Sequence, residues 1–218
     1  MGKLSFLSAG IFFLLLAACA RPPQPPHQVL VTPEYYLGMN LSDDRWVISK
    51  KAPEFLFADM AEHLGHELED KHPNITSAQV RETTEKRLNV NELFIFNPHS
   101  HARLVIDFSA LREGEGSPSD KTIATSAEYA GQGLINEEGV TNVVHTTSKF
   151  RFSGAERACR LDAEFKHHHE PFKLVGIVGF VQPYWFYFYY TDPLVDPADL
   201  VSMEKLIKSF ILLPSKAK

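Results

Sequence analysis

The sequence predicts an α+β fold, a largely antiparallel sheet flanked by helices. Three observations carry that expectation. Helix signals open four stretches, near residues 53, 76, 120 and 196. Four extended runs, 142–152, 158–165, 172–181 and 184–191, fill most of the C-terminal half. Only short turn-rich or polar segments separate those runs, and connections that short favour antiparallel neighbours.

Residues 35–50 read as extended, with Trp46-Val47-Ile48 as a strand. Pro53 opens a helix at its first turn, where a missing N–H costs nothing. Phe57, Met60, Ala61, Leu64 and Leu68 follow at helical spacing, with acidic residues such as Glu62 off that stripe. Thr76-Ser77-Ala78-Gln79 matches a capping box and starts a shorter helix. Leu93–Phe96 and Leu104–Phe108 are expected strands, joined by Asn97-Pro98-His99-Ser100-His101, which has turn chemistry. After a loop at Glu113–Ser119, Asp120 is the expected cap of a third helix. Ile123, Ala127, Ala130 and Leu134 share one face of it, and Gly131 and Gly133 weaken its end. Asp196-Pro197 begins the last helix, with Leu200, Met203, Leu206, Ile207 and Phe210 on its apolar face and Pro214 as its stop. These elements make one domain over residues 35–214, with 215–218 as a tail.

The N-terminus carries an address. Lys3 and an apolar run ending at Leu16 precede Leu16-Ala17-Ala18-Cys19. A positive start, a short apolar core and small residues before a cut form the pattern of a secretory signal peptide, here residues 1–18. The stretch Phe6–Ala20 is shorter than the ~20 apolar residues that span a bilayer. The cysteine directly after the small residues resembles the lipobox of bacterial lipoproteins. That resemblance implies a diacylglycerol and an N-acyl lipid on Cys19 and a membrane as partner; cleavage without lipid is the alternative. In Gram-negative relatives an aspartate after the cysteine tends to retain the protein in the inner membrane. Ala20 stands there instead, which implies the outer membrane, facing the periplasm. Residues 19–34 are then a tether, in which Arg21-Pro22-Pro23-Gln24-Pro25-Pro26-His27 extends as a polyproline spacer at ~3.1 Å per residue.

Composition narrows the partners. The chain holds 22 Lys and Arg against 27 Asp and Glu, a formal charge of −5. Loss of residues 1–18 removes one cation, Lys3, and takes the charge to −6. This argues against nucleic acid, which rewards clustered Lys and Arg, and against a polybasic membrane-binding surface. A domain of this size buries roughly 70% of its unfolded surface and needs no disulfide staple. With Cys19 acylated, Cys159 in the strand-like Ala158-Cys159-Arg160-Leu161 stands alone and reads as a core thiol.

Three stretches carry a resemblance to a known fold family. Leu37-Gly38-Met39-Asn40 leads to Trp46 like an opening hairpin. Ser153-Gly154-Ala155-Glu156 precedes a strand like a turn into a central strand. Tyr184-Trp185-Phe186-Tyr187-Phe188, followed by Leu206-Ile207-Lys208-Ser209-Phe210, is like a last strand and helix. Together these resemble the PsbP-like layered sandwich, whose bacterial members include DcrB-type envelope lipoproteins. The resemblance rests on the order of elements. It implies a mostly non-enzymatic protein that acts through partners, and it supplies no catalytic residue.

Several residue groups are candidates for chemistry. The metal candidates are His167, His168 and His169, with His99 and His101; His63 and His66 form a further pair at i, i+3. Imidazoles bind zinc, copper or nickel when three or four converge. Adjacent side chains of a strand point to opposite faces, so the three-histidine run by itself makes a poor site and reads as a solvated loop. No Gly-x-Ser-x-Gly elbow or glycine-rich phosphate loop occurs, and nothing in the sequence places His145 or Asp107 beside a serine. Glu137-Glu138 reads as a solvated helix end. In the run Tyr184–Tyr190, Trp185, Tyr187 and Tyr189 share one strand face and Tyr184, Phe186, Phe188 and Tyr190 the other. Core packing on both faces of a central strand is expected; a binding surface at Trp185, Tyr187 and Tyr189 is the alternative. The function expected is that of an envelope binding or assembly factor with no cofactor and an envelope protein as partner. An envelope hydrolase and a metal-binding lipoprotein are the alternatives.

Overall fold

The computed structural model describes residues 27–41, 43–71 and 75–215. The signal segment, Cys19 and the proline run to Pro26 lie outside the described residues. The chain opens with β1 (His27–Thr32) and β2 (Tyr35–Met39), an antiparallel hairpin. Then come β3 (Val47–Ser49), α1 (Glu54–Lys71), α2 (Ser77–Leu88), β4 (Leu93–Phe96), β5 (Arg103–Ala110) and α3 (Asp120–Gly133). After a short 3-10 turn follow β6 (Val140–Lys149), β7 (Arg157–His167), β8 (Glu170–Val181), β9 (Tyr184–Asp192), α4 (Pro197–Ser209) and β10 (Ile211–Pro214). Among the described residues no helix is long and apolar enough to cross a membrane.

The strands form two sheets. One has the order β1-β2-β10 and the other β3-β4-β5-β9-β8-β7-β6, with every neighbouring pair antiparallel. The α+β class with an antiparallel sheet flanked by helices is therefore established. Strand β9, which carries the aromatic run, is the middle strand of seven.

Alternation along the strands sorts residues between two layers. Leu104, Ile106, Phe108, Ile177, Phe186, Phe188 and Tyr190 face the main core. There they meet Leu37 and Met39 of the small sheet and Met203, Leu206, Ile207 and Phe210 around α4. The opposite face is covered in two pieces. Leu56 and Leu88 of α1 and α2 pack on Phe94 at one wing, and Ile123 and Ala127 of α3 pack on Cys159 and Val178 at the other.

Local chemistry explains the boundaries. Thr76 and Gln79 form the expected reciprocal capping box at α2. Asp196 caps α4, with Pro197 in the first turn. His168 and His169 both have positive φ and form the two-residue turn between β7 and β8, the geometry that matches strand twist. Gly154, at φ 84°, lies where a Cβ would stand 2.2 Å from the Leu212 carbonyl oxygen, so only glycine fits this turn against β10.

Some expectations are corrected. The tether does not run to residue 34, because His27–Thr32 pairs with β2 as a strand of the small sheet. Its alternating Val29 and Val31 pack toward the core, a signal that the preceding prolines obscured. Ser119, not Asp120, caps α3: its hydroxyl accepts from the Thr122 N–H at 3.1 Å. Helix α4 ends at Ser209, before Pro214, because Ile211–Pro214 pairs with β2. The turn Ser153–Glu156 leads into β7, one strand in from the sheet edge and not a central strand.

Candidate functional site

The two faces of β9 have different fates. Phe186, Phe188 and Tyr190 are fully buried. Trp185, Tyr187 and Tyr189 are half-buried and pack against the clusters under α3, so this face is covered in part where the other is closed. They form a strip along the α3 side of the sheet, with Trp185 and Tyr187 against the Ile123 and Ala127 cluster and Tyr189 beside Leu161. Trp185 and Tyr187 lie nearly parallel with ring centroids 6.2 Å apart, and Tyr187 and Tyr189 follow at 6.4 Å. Residues i and i+2 of a strand hold this spacing without adjustment.

The neighbours of the strip are set by register. Val105, Asp107 and Ser109 of β5 stand opposite Tyr189, Tyr187 and Trp185, and Gly176, Val178 and Phe180 of β8 stand on the other side. Gly176 gives room to Tyr189: a Cβ there would sit 3.2 Å from its ring. Burial is the main cause that pushes the Tyr189 hydroxyl up to about 12, with Tyr187 and Asp107 adding to it. Burial also raises the Asp107 carboxyl. At the far end Arg103 approaches Asp59 of α1 at 3.7 Å. Burial, then the neighbouring His168, lowers the His167 imidazole, which also feels Asp59, Arg103 and His63. The strip is thus an aromatic floor with a mixed-charge end, suited to flat apolar or amphipathic groups.

A cleft lies at the other side of α3, between its first turns and the β6–β7 connection. Its volume is about 730 Å³. Ile123, Ala124, Phe152, Ala155 and Cys159 supply its apolar surface, and Lys121, Lys149, Arg151 and Arg157 stand around it. A second cleft, about 470 Å³, is lined by Asp43, Arg45, Trp46, Ser202 and Lys205.

Beside that second cleft is a buried polar cluster that sequence reasoning missed. Asp199 is fully buried and accepts from Arg45 Nη1 at 3.0 Å, Asn97 Nδ2 at 3.0 Å and the Ser100 hydroxyl. Its hydrogen bond to Asp199, then that to Asp43, raises the Arg45 guanidinium further. The four residues come from sequence positions as far apart as 45 and 199, so no local pattern marks them. The cluster joins α4 to the β4–β5 turn and is a structural clamp.

The remaining candidates are placed as follows. Cys159 is buried and donates its S–H to the Ser148 carbonyl at 3.2 Å, and burial pushes the thiol up. His101 stacks on Phe55 at 4.3 Å, while the His99 N–H donates to Asn97 Oδ1 at 2.9 Å. His168 packs against Gly139 and, with His169, makes the turn. Among the described residues no three His, Cys, Asp or Glu side chains converge as a metal set, so His99, His101, His167, His168 and His169 are not gathered. His145 pairs with Glu128 of α3 at 2.9 Å, and Asp107 lies on the strip. Cys19 lies outside the described residues.

Comparison with known proteins adds little to these side chains. No family model and no curated protein matches the chain. Among solved structures, the chain is similar to the solution structure of cyanobacterial PsbP (CyanoP) from Synechocystis sp. PCC 6803. The identity is 8%, the match covers 82% of this chain and 86% of that one, and the TM-score is 0.49.

Proposed function

We propose that the chain is a lipid-anchored cell-envelope protein that acts as a non-enzymatic binding or assembly factor. Cys19 carries the lipid, Ala20 directs it to the outer membrane, and the proline run holds the domain off the surface into the periplasm. Two or three acyl chains suffice for stable anchoring, since each buried methylene contributes about 0.8 kcal/mol. The observation that supports binding is the half-buried strip of Trp185, Tyr187 and Tyr189, opposite the fully buried Phe186, Phe188 and Tyr190 of the same strand. Aromatic side chains give large contact area at low entropic cost, and an envelope protein with an apolar, aromatic-bearing segment is the partner of choice.

Two measurements test the proposal. Fractionation of cells expressing Cys19→Ser should move the protein from membrane to soluble fractions; unchanged membrane association would sink the anchor. A photoreactive amino acid at Tyr187 should trap a discrete envelope partner in cells. The same adduct obtained equally from exposed Tyr129, on the outer side of α3, would remove the strip as the binding face.

A further inference from the structure

We infer that the cleft between α3 and the β6–β7 connection binds a single-chain amphiphile with an anionic head, of the fatty-acid kind. The inference does not depend on the aromatic strip, which is a different surface.

Size comes first. Ligand sites for small molecules run from ~300 to ~1,000 Å³, and this cleft holds about 730 Å³. Its wall is apolar where it is deepest: Ile123 and Cys159 are buried, and Phe152 continues into the main core. Ala124 and Ala155 keep the mouth open by being small.

Charge selects the head group. The cleft carries four cations and two carboxylates, on a chain whose overall charge is negative. Both carboxylates are engaged. Asp120 holds Lys149 at 3.3 Å and Arg157 at 3.2 Å. Glu156 accepts from Arg157 at 3.3 Å and from the Gln182 N–H at 3.1 Å. Lys121 and Arg151 have no ion pair among the described residues and stand exposed at the rim. An anion there meets two unspent cations while its tail lies on the apolar wall. A nucleotide or sugar phosphate would leave that wall facing polar groups, and a neutral lipid would leave the cations unused.

Titration calorimetry of the full chain carrying Cys19→Ser, with dodecanoate as the probe, tests the inference. One dodecanoate should bind per chain. Each methylene added between octanoate and dodecanoate should tighten binding about fourfold, ~0.8 kcal/mol. Lys121→Ala with Arg151→Ala should weaken dodecanoate about tenfold and remove the salt dependence. Ala124→Trp should fill the mouth and abolish binding while the melting temperature stays near that of the parent. Three results would overturn the inference: no saturable binding, equal affinity for dodecyltrimethylammonium, or unchanged affinity in Ala124→Trp. None of these bears on crosslinking from Tyr187, so the two readings fail separately.

Discussion

Truncating neighbouring residues of β9 should give unequal costs, and the inequality measures how open the strip is. Phe188 is fully buried, with ring centroids of Phe152, Phe186, Phe210 and Phe108 at 5.3, 5.5, 5.6 and 6.1 Å. All four distances fall within the range of favourable ring pairs. Phe188→Ala therefore loses a full aromatic transfer term plus a cavity term, ~3–5 kcal/mol, and the four ring pairs place it near the top of that range. Tyr187 is half-buried and flanked by two stacked rings on its own strand. Tyr187→Ala forfeits part of the transfer term and leaves no closed cavity, so ~1–2 kcal/mol is expected. For a domain of this size 1 kcal/mol shifts the melting temperature by ~2–4 °C. The expected losses are ~6–20 °C for Phe188→Ala and ~2–8 °C for Tyr187→Ala. Thermal and urea unfolding, followed by near- and far-UV circular dichroism, measures both. Equal losses, or a larger one for Tyr187→Ala, would show the strip to be closed core and remove the basis for a binding face.

Two further perturbations address buried polar groups. Burial pushes the Glu92 carboxyl up to about 7 from an ordinary 4.5, against the lowering effect of the hydrogen bond it accepts from the Phe108 N–H. A carboxyl raised in the folded state stabilises the fold below the unfolded value and loses that stability as pH rises through about 7. Glu92→Gln should flatten the fall in stability between pH ~4.5 and ~7 in urea titrations; a slope equal to the parent's would refute this assignment. Asp199→Ala leaves Arg45, Asn97 and Ser100 without their buried acceptor and should cost ~3–5 kcal/mol in the same assay, whereas a loss below ~1 kcal/mol would show that the cluster clamps nothing.

What was legible in the sequence was local. The Thr76–Gln79 box, the Asp196 cap and the four C-terminal strands depend on residues within a few positions of one another, and each stands where expected. Helical periodicity hides β10 because Phe210 continues the 3.6-residue stripe of α4, while the pairing of β10 with Leu37 and Gly38 is set by residues far earlier in the chain. The small sheet leaves no local signal for the same reason: β1 and β10 flank β2 from opposite ends of the domain. The aromatic run announced its own importance, and its two-face alternation was readable. Which face closes was not, because that depends on where the helices land.

The landing follows from widths. Six inter-strand spacings of ~4.8 Å make the seven-stranded sheet ~29 Å across. A helix with its side chains spans ~10–12 Å, about two strands. α3 settles where small residues admit it: Ala127 and Gly131 are buried on its inner face, over Cys159 and Leu161 of β7. α1 and α2 settle on Phe94 at the far wing, held by Leu56 and Leu88. β5 and β9 lie between the two seats and touch both: Val105 packs with the α1–α2 cluster, Trp185 and Tyr187 pack with that of α3, and Asp107 stands opposite Tyr187. Burial already raises the Asp107 carboxyl, so covering it fully without a partner would add to that cost. That half-buried carboxylate lies opposite Tyr187, so Asp107→Leu should stabilise the free domain and, by setting an apolar side chain beside the rings, weaken crosslinking from Tyr187. Stabilisation with crosslinking intact would break the link between the open strip and the binding it is proposed to serve.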